Sequence, residues 1–379
     1  MKMIIPIIIQ PSTENYFWVK NVLEGIKSRA VRYDCELLIF DKEMFQKQNL
    51  PHNVPVLVNG HLSEWLSGTA MFLQVRGYAP IIINASFVSP ERCKYSSVRF
   101  DIASGIQEVV DYCKATERKK IVLLGVRKNI AGDEEKVRLF QQNLEKSELA
   151  DAQIIYMEDT LGKCVREFVD YFFDNNIDAV ICANDTVAVF LIREFQNNNI
   201  RIPEDVLVIG VGNSMVGRLS NASLVSLTAD YVEMGKQAVS LWRYLYKEGT
   251  DADITISINC RMNRKYIGSE FVTQQYYQED FREEADSCED SWNDYFYEDE
   301  DVKRMHQLEM LLQGCDETDL ALLQAIKQEK TDETIAQEIW LTSRAVRYRI
   351  NKMVKKLGVH NRNELVMMLR EFNIGGDAG

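Results

Sequence analysis

Short apolar runs alternate along the chain with longer stretches in which apolar residues recur every three or four positions. "MIIPIII" near the amino end precedes a segment with Val19, Val22, Leu23, Ile26 and Ala30 at helical spacing, and "CELLIF", "VPVLVN" and "PIIINA" follow, each set apart by a polar or helical stretch. The rhythm resumes with "KIVLLG", a helical pattern around Phe140, "AQIIYM", another around Phe168, "DAVICA", a third around Phe190, and "DVLVIG". A continuous apolar run reads as a buried strand, and a 3.6-residue period as an amphipathic helix. Their alternation predicts parallel sheets covered by helices on both faces. Two such series predict two α/β lobes. Ligands in open parallel sheets bind beyond the carboxyl ends of the strands, so two facing lobes make a cleft.

The pattern then becomes purely helical. Val302, Met305, Leu308, Leu311 and Leu312 are helically spaced, and a compact helical module runs from Glu317 to Leu369. In its third helix Val346, Ile350, Met353 and Leu357 keep one face apolar. Thr342 stands as its cap and Gly358 as its stop. Asn361 with Glu364 three residues on is a capping pair for the next helix.

Charge sharpens this picture. The chain carries a formal net charge of −13, yet between Thr342 and Gly358 there are six basic residues and no acid. The negative charge is concentrated from Glu270 to Asp301, where thirteen acids face the single base Arg282. That segment also holds Phe271, Tyr276, Tyr277, Phe281, Trp292, Tyr295, Phe296 and Tyr297, so it lacks the apolar-poor composition of a disordered tail.

Other chemistries find little support. Eight cysteines and four histidines are scattered with no C-x-x-C pair, which predicts reduced thiols and no metal site. Phosphate-cradling, nucleophile-elbow, zinc-protease and dinucleotide-binding motifs are missing, so no cofactor and no enzyme activity are expected. The opening apolar run is too short for a membrane span and lacks the flanks of a secretory signal. A cytoplasmic location is expected.

Specific residues carry two resemblances. The stretch Val180 to Val239, with Ala183-Asn184-Asp185 at a turn, Ile202-Pro203-Glu204-Asp205 entering a strand, and Met234-Gly235 with Ala238 on the next helix, resembles the ligand-binding core of the lactose-repressor family, which has the type 1 periplasmic-binding fold. The resemblance covers roughly residues 3 to 268. The module with Ile335-Ala336, Ile339, Leu341-Thr342 and Val346 resembles the LuxR/GerE-type helix-turn-helix. Together they imply an α/β two-lobed sensor, followed by a small all-α DNA-binding domain. The expected divisions are 1–268 for the sensor, 269–315 for an acidic linker with a connecting helix, and 316–379 for the DNA-binding domain.

The first resemblance puts ligand contacts at Tyr16, Trp18, Asp101, Lys136, Asn184, Asp185 and Asn213. Each also has a plain structural reading. Asp101, Asn184 and Asp185 suit helix caps, Tyr16 and Trp18 suit a core, and Lys136 in "DEEKVR" suits a solvated surface. The chain departs from the family in opening on a strand where a DNA-binding headpiece is usual, and in having Gly212 where sugar-binding members place an Asp. The second resemblance makes the helix after Thr342 a DNA reader, with contacts from Thr342, Ser343, Arg344, Arg347, Tyr348, Arg349, Asn351, Lys352 and Lys355. Such a helix has the width and charge for a major groove. The function expected is transcriptional regulation by a homodimer that binds double-stranded DNA under control of a small molecule, a sugar by family habit. The alternatives are control by a protein partner through the acidic segment, or a response regulator with a LuxR-type output domain.

Overall fold

The structure, a computed structural model, describes residues 3–375 other than 15, 49, 52, 84–93, 146–151, 221–223, 250–251 and 264–294. Most of the acidic segment, with Cys93 and Cys288, therefore lies outside the described residues. The first strands and helices are β1 (Met3–Ile9), α1 (Phe17–Arg32), β2 (Cys35–Phe40), α2 (Lys42–Gln46), β3 (Pro55–Asn59), α3 (Ser63–Val75), β4 (Ala79–Ile83), β5 (Ser96–Asp101) and α4 (Ile102–Ala115). Next come β6 (Ile121–Val126), α5 (Ala131–Glu145), β7 (Gln153–Tyr156), α6 (Leu161–Asn175), β8 (Ala179–Cys182), α7 (Asp185–Asn197), β9 (Leu207–Gly212), α8 (Met215–Ser220), β10 (Val225–Thr228), α9 (Tyr231–Glu248), β11 (Thr255–Asn259) and β12 (Met262–Asn263). The rest is helical: α10 (Tyr295–Glu298), α11 (Glu300–Gln313), α12 (Glu317–Lys327), α13 (Asp332–Glu338), α14 (Ser343–Leu357) and α15 (Arg362–Glu371).

Two six-stranded sheets form, in the orders β11-β5-β4-β3-β1-β2 and β12-β10-β9-β8-β6-β7. This is the two-lobed, parallel-dominated α/β architecture that the sequence pattern implies, with an all-helical carboxyl end. By contacts the chain divides into two compact units, residues 1–156 with 227–262 and residues 157–226 with 263–379.

In the first unit β1 pairs in parallel with β2 from Met3↔Cys35 to Ile8↔Phe40, and with β3 from Ile7↔Leu57 to Ile9↔Asn59. The chain leaves β1 in one direction for β2 and returns on its other side as β3. The carboxyl ends of β1 and β3 thus flank a topological switch point. Helix α1 lies close along α9: a Cβ at Gly25 would overlap the Val232 carbonyl, and one at Gly235 would overlap that of Val22. Trp242 of α9 is fully buried and donates its Nε1–H to the Pro55 carbonyl at 2.7 Å.

The second unit sets the parallel pair β8–β9 among α6, α7 and α8. The carboxyl-terminal helices pack on the same unit. Val302, Met305, Leu308, Leu311 and Leu312 of α11 are buried, and α11 touches both α8 and α14. Phe372, just past α15, places its ring 6.1 Å from that of Phe190 in α7. Asn373 Nδ2 donates to the Ser220 carbonyl at 3.2 Å, and Gly375 N–H donates to the Leu219 carbonyl at 2.9 Å. Glu371 pairs with Arg193 of α7 at 3.6 Å and with Arg304 of α11 at 2.6 Å. The connecting helix is itself a packing element.

Six cysteines are described and all are free thiols, five of them buried. Burial pushes Cys164 up to about 11, and Cys260 and Cys315 up to about 12, so these thiols stay protonated. Among the described residues no helix is long and apolar enough to cross a membrane.

Candidate functional site

At the switch point of the first unit, the end of β1 is tied to the end of β3 through Gln10. Its backbone N–H donates to the Asn59 carbonyl at 2.9 Å, and its Oε1 accepts from the His61 and Leu62 amides at 2.9 and 3.1 Å. Aromatic rings gather here. Tyr16 lies 5.9 Å and Trp18 6.0 Å from the His61 ring, Trp18 lies 6.3 Å from Tyr231, and Tyr231 meets Phe100 edge-on at 5.2 Å. The two aromatics singled out in the sequence thus belong to one cluster with their rings 6.5 Å apart.

Asn59, at the carboxyl end of β3, was missed by the sequence reading. It is fully buried, and neither its Oδ1 nor its Nδ2 has a partner among the described residues. Buried amides are normally hydrogen-bonded, so such a pair at a switch point is suited to a polar ligand. Its only sequence signal was an Asn closing an apolar strand.

Lys136 is not the solvated residue its charged neighbours suggested. It is 8% exposed and its Nζ lies 2.8 Å from Asp133 Oδ1, while Arg127 Nε donates to Asp133 Oδ2 at 3.2 Å. Burial opposes the Asp133 charge, but the Lys136 and Arg127 cations beside it hold the carboxyl below its usual value. Asp101 caps α4, its Oδ1 accepting from Ser104 N–H at 3.2 Å and its Oδ2 from Ser104 Oγ at 2.6 Å.

The remaining three ligand candidates lie in the second unit. Asn184 caps α7, accepting from Val187 N–H at 3.0 Å. Asp185 is 3% exposed and ties down the loop after β9: Oδ2 accepts from Ser214 N–H at 2.5 Å and Oδ1 from Ser226 Oγ at 2.6 Å. Ser226 Oγ in turn accepts from Asn213 N–H at 2.9 Å. Burial raises the Asp185 carboxyl above its ordinary value, against the pull of these donors and of Arg218. Asn213 has positive φ and a side-chain Oδ1 that is buried without a partner among the described residues.

That loop leads into α8, whose first two amides are bound by a distant acid. Glu309 of α11 is 2% exposed. Its Oε1 accepts from Met215 N–H at 2.9 Å and its Oε2 from Val216 N–H at 2.7 Å, with Gln313 Nε2 donating at 2.9 Å. Helix amino ends leave such amides unsatisfied and favour negative charge. Burial nonetheless outweighs the amides, Gln313 and Arg218, and the carboxyl titrates above its ordinary value. The sequence held a signal: Glu309 stands between Met305, Leu308 and Leu312 on the apolar stripe of α11, a core position for an acid.

In the helical module, Thr342 caps α14 by accepting from Ala345 N–H at 3.2 Å, and Gly358 ends it with positive φ. Val346, Ile350, Met353 and Leu357 are buried, as their spacing predicts. Thr342, Arg344, Arg347, Tyr348, Asn351, Lys352 and Lys355 are exposed, and Ser343 is half-buried. Arg347 Nε donates to Asp332 at 3.2 Å and keeps most of its surface. Arg349 is turned toward α12, its Nη1 lying 3.0 Å from Asp316 and 2.5 Å from Asp319. Those two acids form a capping box, so Arg349 fastens α14 to the start of α12. Asn361 caps α15 and Glu364 reaches back to the His360 amide at 2.9 Å, one residue earlier than the reciprocal pair expected.

Both parts of the chain have known relatives. Residues 110–262 match the family of periplasmic binding protein-like domains, and residues 317–369 match the luxR family of bacterial regulatory proteins. Catabolite control protein A of Priestia megaterium is 21% identical over 266 residues, covering 65% of this chain and 76% of that protein. Among solved structures, the complex of the transcriptional regulator CelR with cellobiose superposes with a TM-score of 0.58 at 15% identity, covering 71% of this chain and 85% of the other. The Lac repressor bound to ONPG gives 0.58 at 12% identity, covering 71% and 82%. The chain joins a periplasmic binding protein-like domain, on the fold seen in LacI-type regulators, to a luxR-family helix-turn-helix, the build of a transcriptional regulator.

Proposed function

We propose that this regulator binds double-stranded DNA as a homodimer through α14, under control of a small polar molecule, a sugar in the first instance, held by the sensor core at residues 1–268. The helical module of 316–379 reads DNA, and the acidic segment with α11 joins the two. The observation that carries the proposal is the Glu309 clamp. It fastens α11, and α14 packed on α11, to the helix that follows the Asn213 loop. A ligand that draws on Asn213 shifts the loop, hence α8, hence the presentation of α14. Asp185 acts through this loop, since both its oxygens are engaged within the protein.

The aromatic rings around His61 and the unpartnered amide of Asn59 support a sugar, which offers an apolar ring face and hydroxyl groups to such a site. A thermal-shift panel of pentoses, hexoses, disaccharides and nucleosides tests this, because a ligand of the native state raises the melting temperature. One class should stabilise the protein and also change its affinity for a selected operator. A panel with no stabilising sugar would direct the search to other polar metabolites, and a ligand that stabilises without altering DNA affinity would contradict the control.

A further inference from the structure

Helix α13 ends in a turn that a glycine normally occupies. Leu341 N–H donates to the Ala336 carbonyl at 3.0 Å. That bond spans the end of the helix as in a Schellman turn and puts Trp340 just past the C-cap Ile339, with φ of +56°. A Cβ is disfavoured in this left-handed conformation, which is why glycine or asparagine is the common choice. Among the described residues the other non-glycine positions of positive φ are held by Asn, Asp, Ser or Glu, and Trp340 is the one aromatic.

The Trp340 side chain is also 93% exposed, so a large apolar ring stands in water on a strained backbone. Within the fold a glycine would serve better on both counts. Strain held at one exposed residue points outward, to a function the fold itself does not need. The surroundings name the partner. Trp340 lies two residues before the cap of α14, and Arg344, Tyr348 and Lys352 follow at intervals of four along one exposed stripe, Tyr348 itself being 71% exposed. The helix has six basic residues and no acid, which fits a polyanion.

We infer that Trp340 contacts the DNA backbone, its ring face against a deoxyribose and its Nε1–H donating to a phosphate at the rim of the groove that α14 enters. The inference rests on the reading of α14 as the DNA reader. A backbone contact positions the module without reading sequence, so it acts on every duplex alike.

The full chain tests this as Trp340→Gly, Trp340→Phe and Arg347→Ala, using fluorescence anisotropy with a duplex recovered by binding-site selection and with a mixed-sequence duplex. Trp340→Gly should melt at or above the wild type, keep its oligomeric state, and lose roughly tenfold in affinity for both duplexes. Trp340→Phe, which keeps a ring but no N–H, should fall between. If Trp340→Gly binds both duplexes like the wild type while Arg347→Ala is impaired, the inference is overturned and α14 remains the reader. A loss of DNA affinity that merely follows a loss of self-association would overturn it in favour of a second copy of the chain as the partner of the ring. Wild-type binding by all three variants would overturn both the inference and the reading beneath it.

Discussion

Glu309 ties the connecting helix α11 to the start of α8. Glu309→Ala leaves the Met215 and Val216 amides without an acceptor in a buried place, a cost of about 1–3 kcal/mol for each group left unsatisfied. Chemical denaturation should show that loss, and Glu309→Gln should recover part of it, because the amide retains one acceptor oxygen. The pH dependence is a second check. Burial raises the Glu309 carboxyl above its ordinary value of 4.5, so the folded state binds the proton more tightly than the unfolded chain. Its contribution to stability is then complete below 4.5 and lost as pH rises through the raised value, and Glu309→Gln should flatten that part of the stability profile. At this scale the sequence was only partly legible. Asn184 and Asp101 show the helix-capping role that their position before a helix allowed. Glu309 showed only as an acid on an apolar stripe, because the Met215 and Val216 amides it binds lie far away in the chain, and the burial of Lys136 and Asn59 leaves no pattern of its own.

Elements were far more legible than sites. "MIIPIII" and "KIVLLG" became interior parallel strands because continuous apolar runs suit a sheet covered on both faces, whereas "CELLIF" became the edge strand β2 with only its end residues buried. β5 and β11, with "SSVRFD" and "TISIN", escaped that pattern; β11 lies at the edge of its sheet and alternates between exposed and half-buried residues. The α1–α9 contact turns on Gly25 and Gly235, each facing backbone of the other helix. Gly235→Ala must push the helices apart, and a loss of about 1–3 kcal/mol is expected in denaturant unfolding, the usual range for overpacking. In α14 two substitutions should differ in kind. Arg347→Ala should cost about 1–3 kcal/mol at the selected operator and relax preference at one base pair, as the loss of a bidentate guanine pairing does. Lys355→Ala should weaken specific and random DNA alike and lower the salt slope by roughly one for each phosphate that the lysine neutralises. Repeated binding-site selection and salt titration separate the two.

On the scale of the whole molecule, the charge of −13 with a basic α14 conceals a local division of labour: acid is concentrated between 270 and 301, and cation on one helix. Regulation needs a link between the sensor and that helix. The tail contacts of Asn373 and Gly375 with α8, the Glu371 ion pairs and the Glu309 clamp make α7, α8, α11 and α15 one packed body. The response-regulator alternative gives way to this architecture, since two six-stranded sheets with a periplasmic binding protein-like domain stand where a receiver would be.

The central claim is a coupling free energy between effector and DNA. Its most direct measurement is operator affinity of the full chain with and without a stabilising effector, made in parallel on the wild type and on Glu309→Gln. The wild type should change its affinity by about 5-fold or more, in the range usual for allosteric coupling, and Glu309→Gln should diminish that ratio while still binding effector and operator separately. An undiminished ratio in Glu309→Gln would show that the signal reaches α14 by another route and contradict the account.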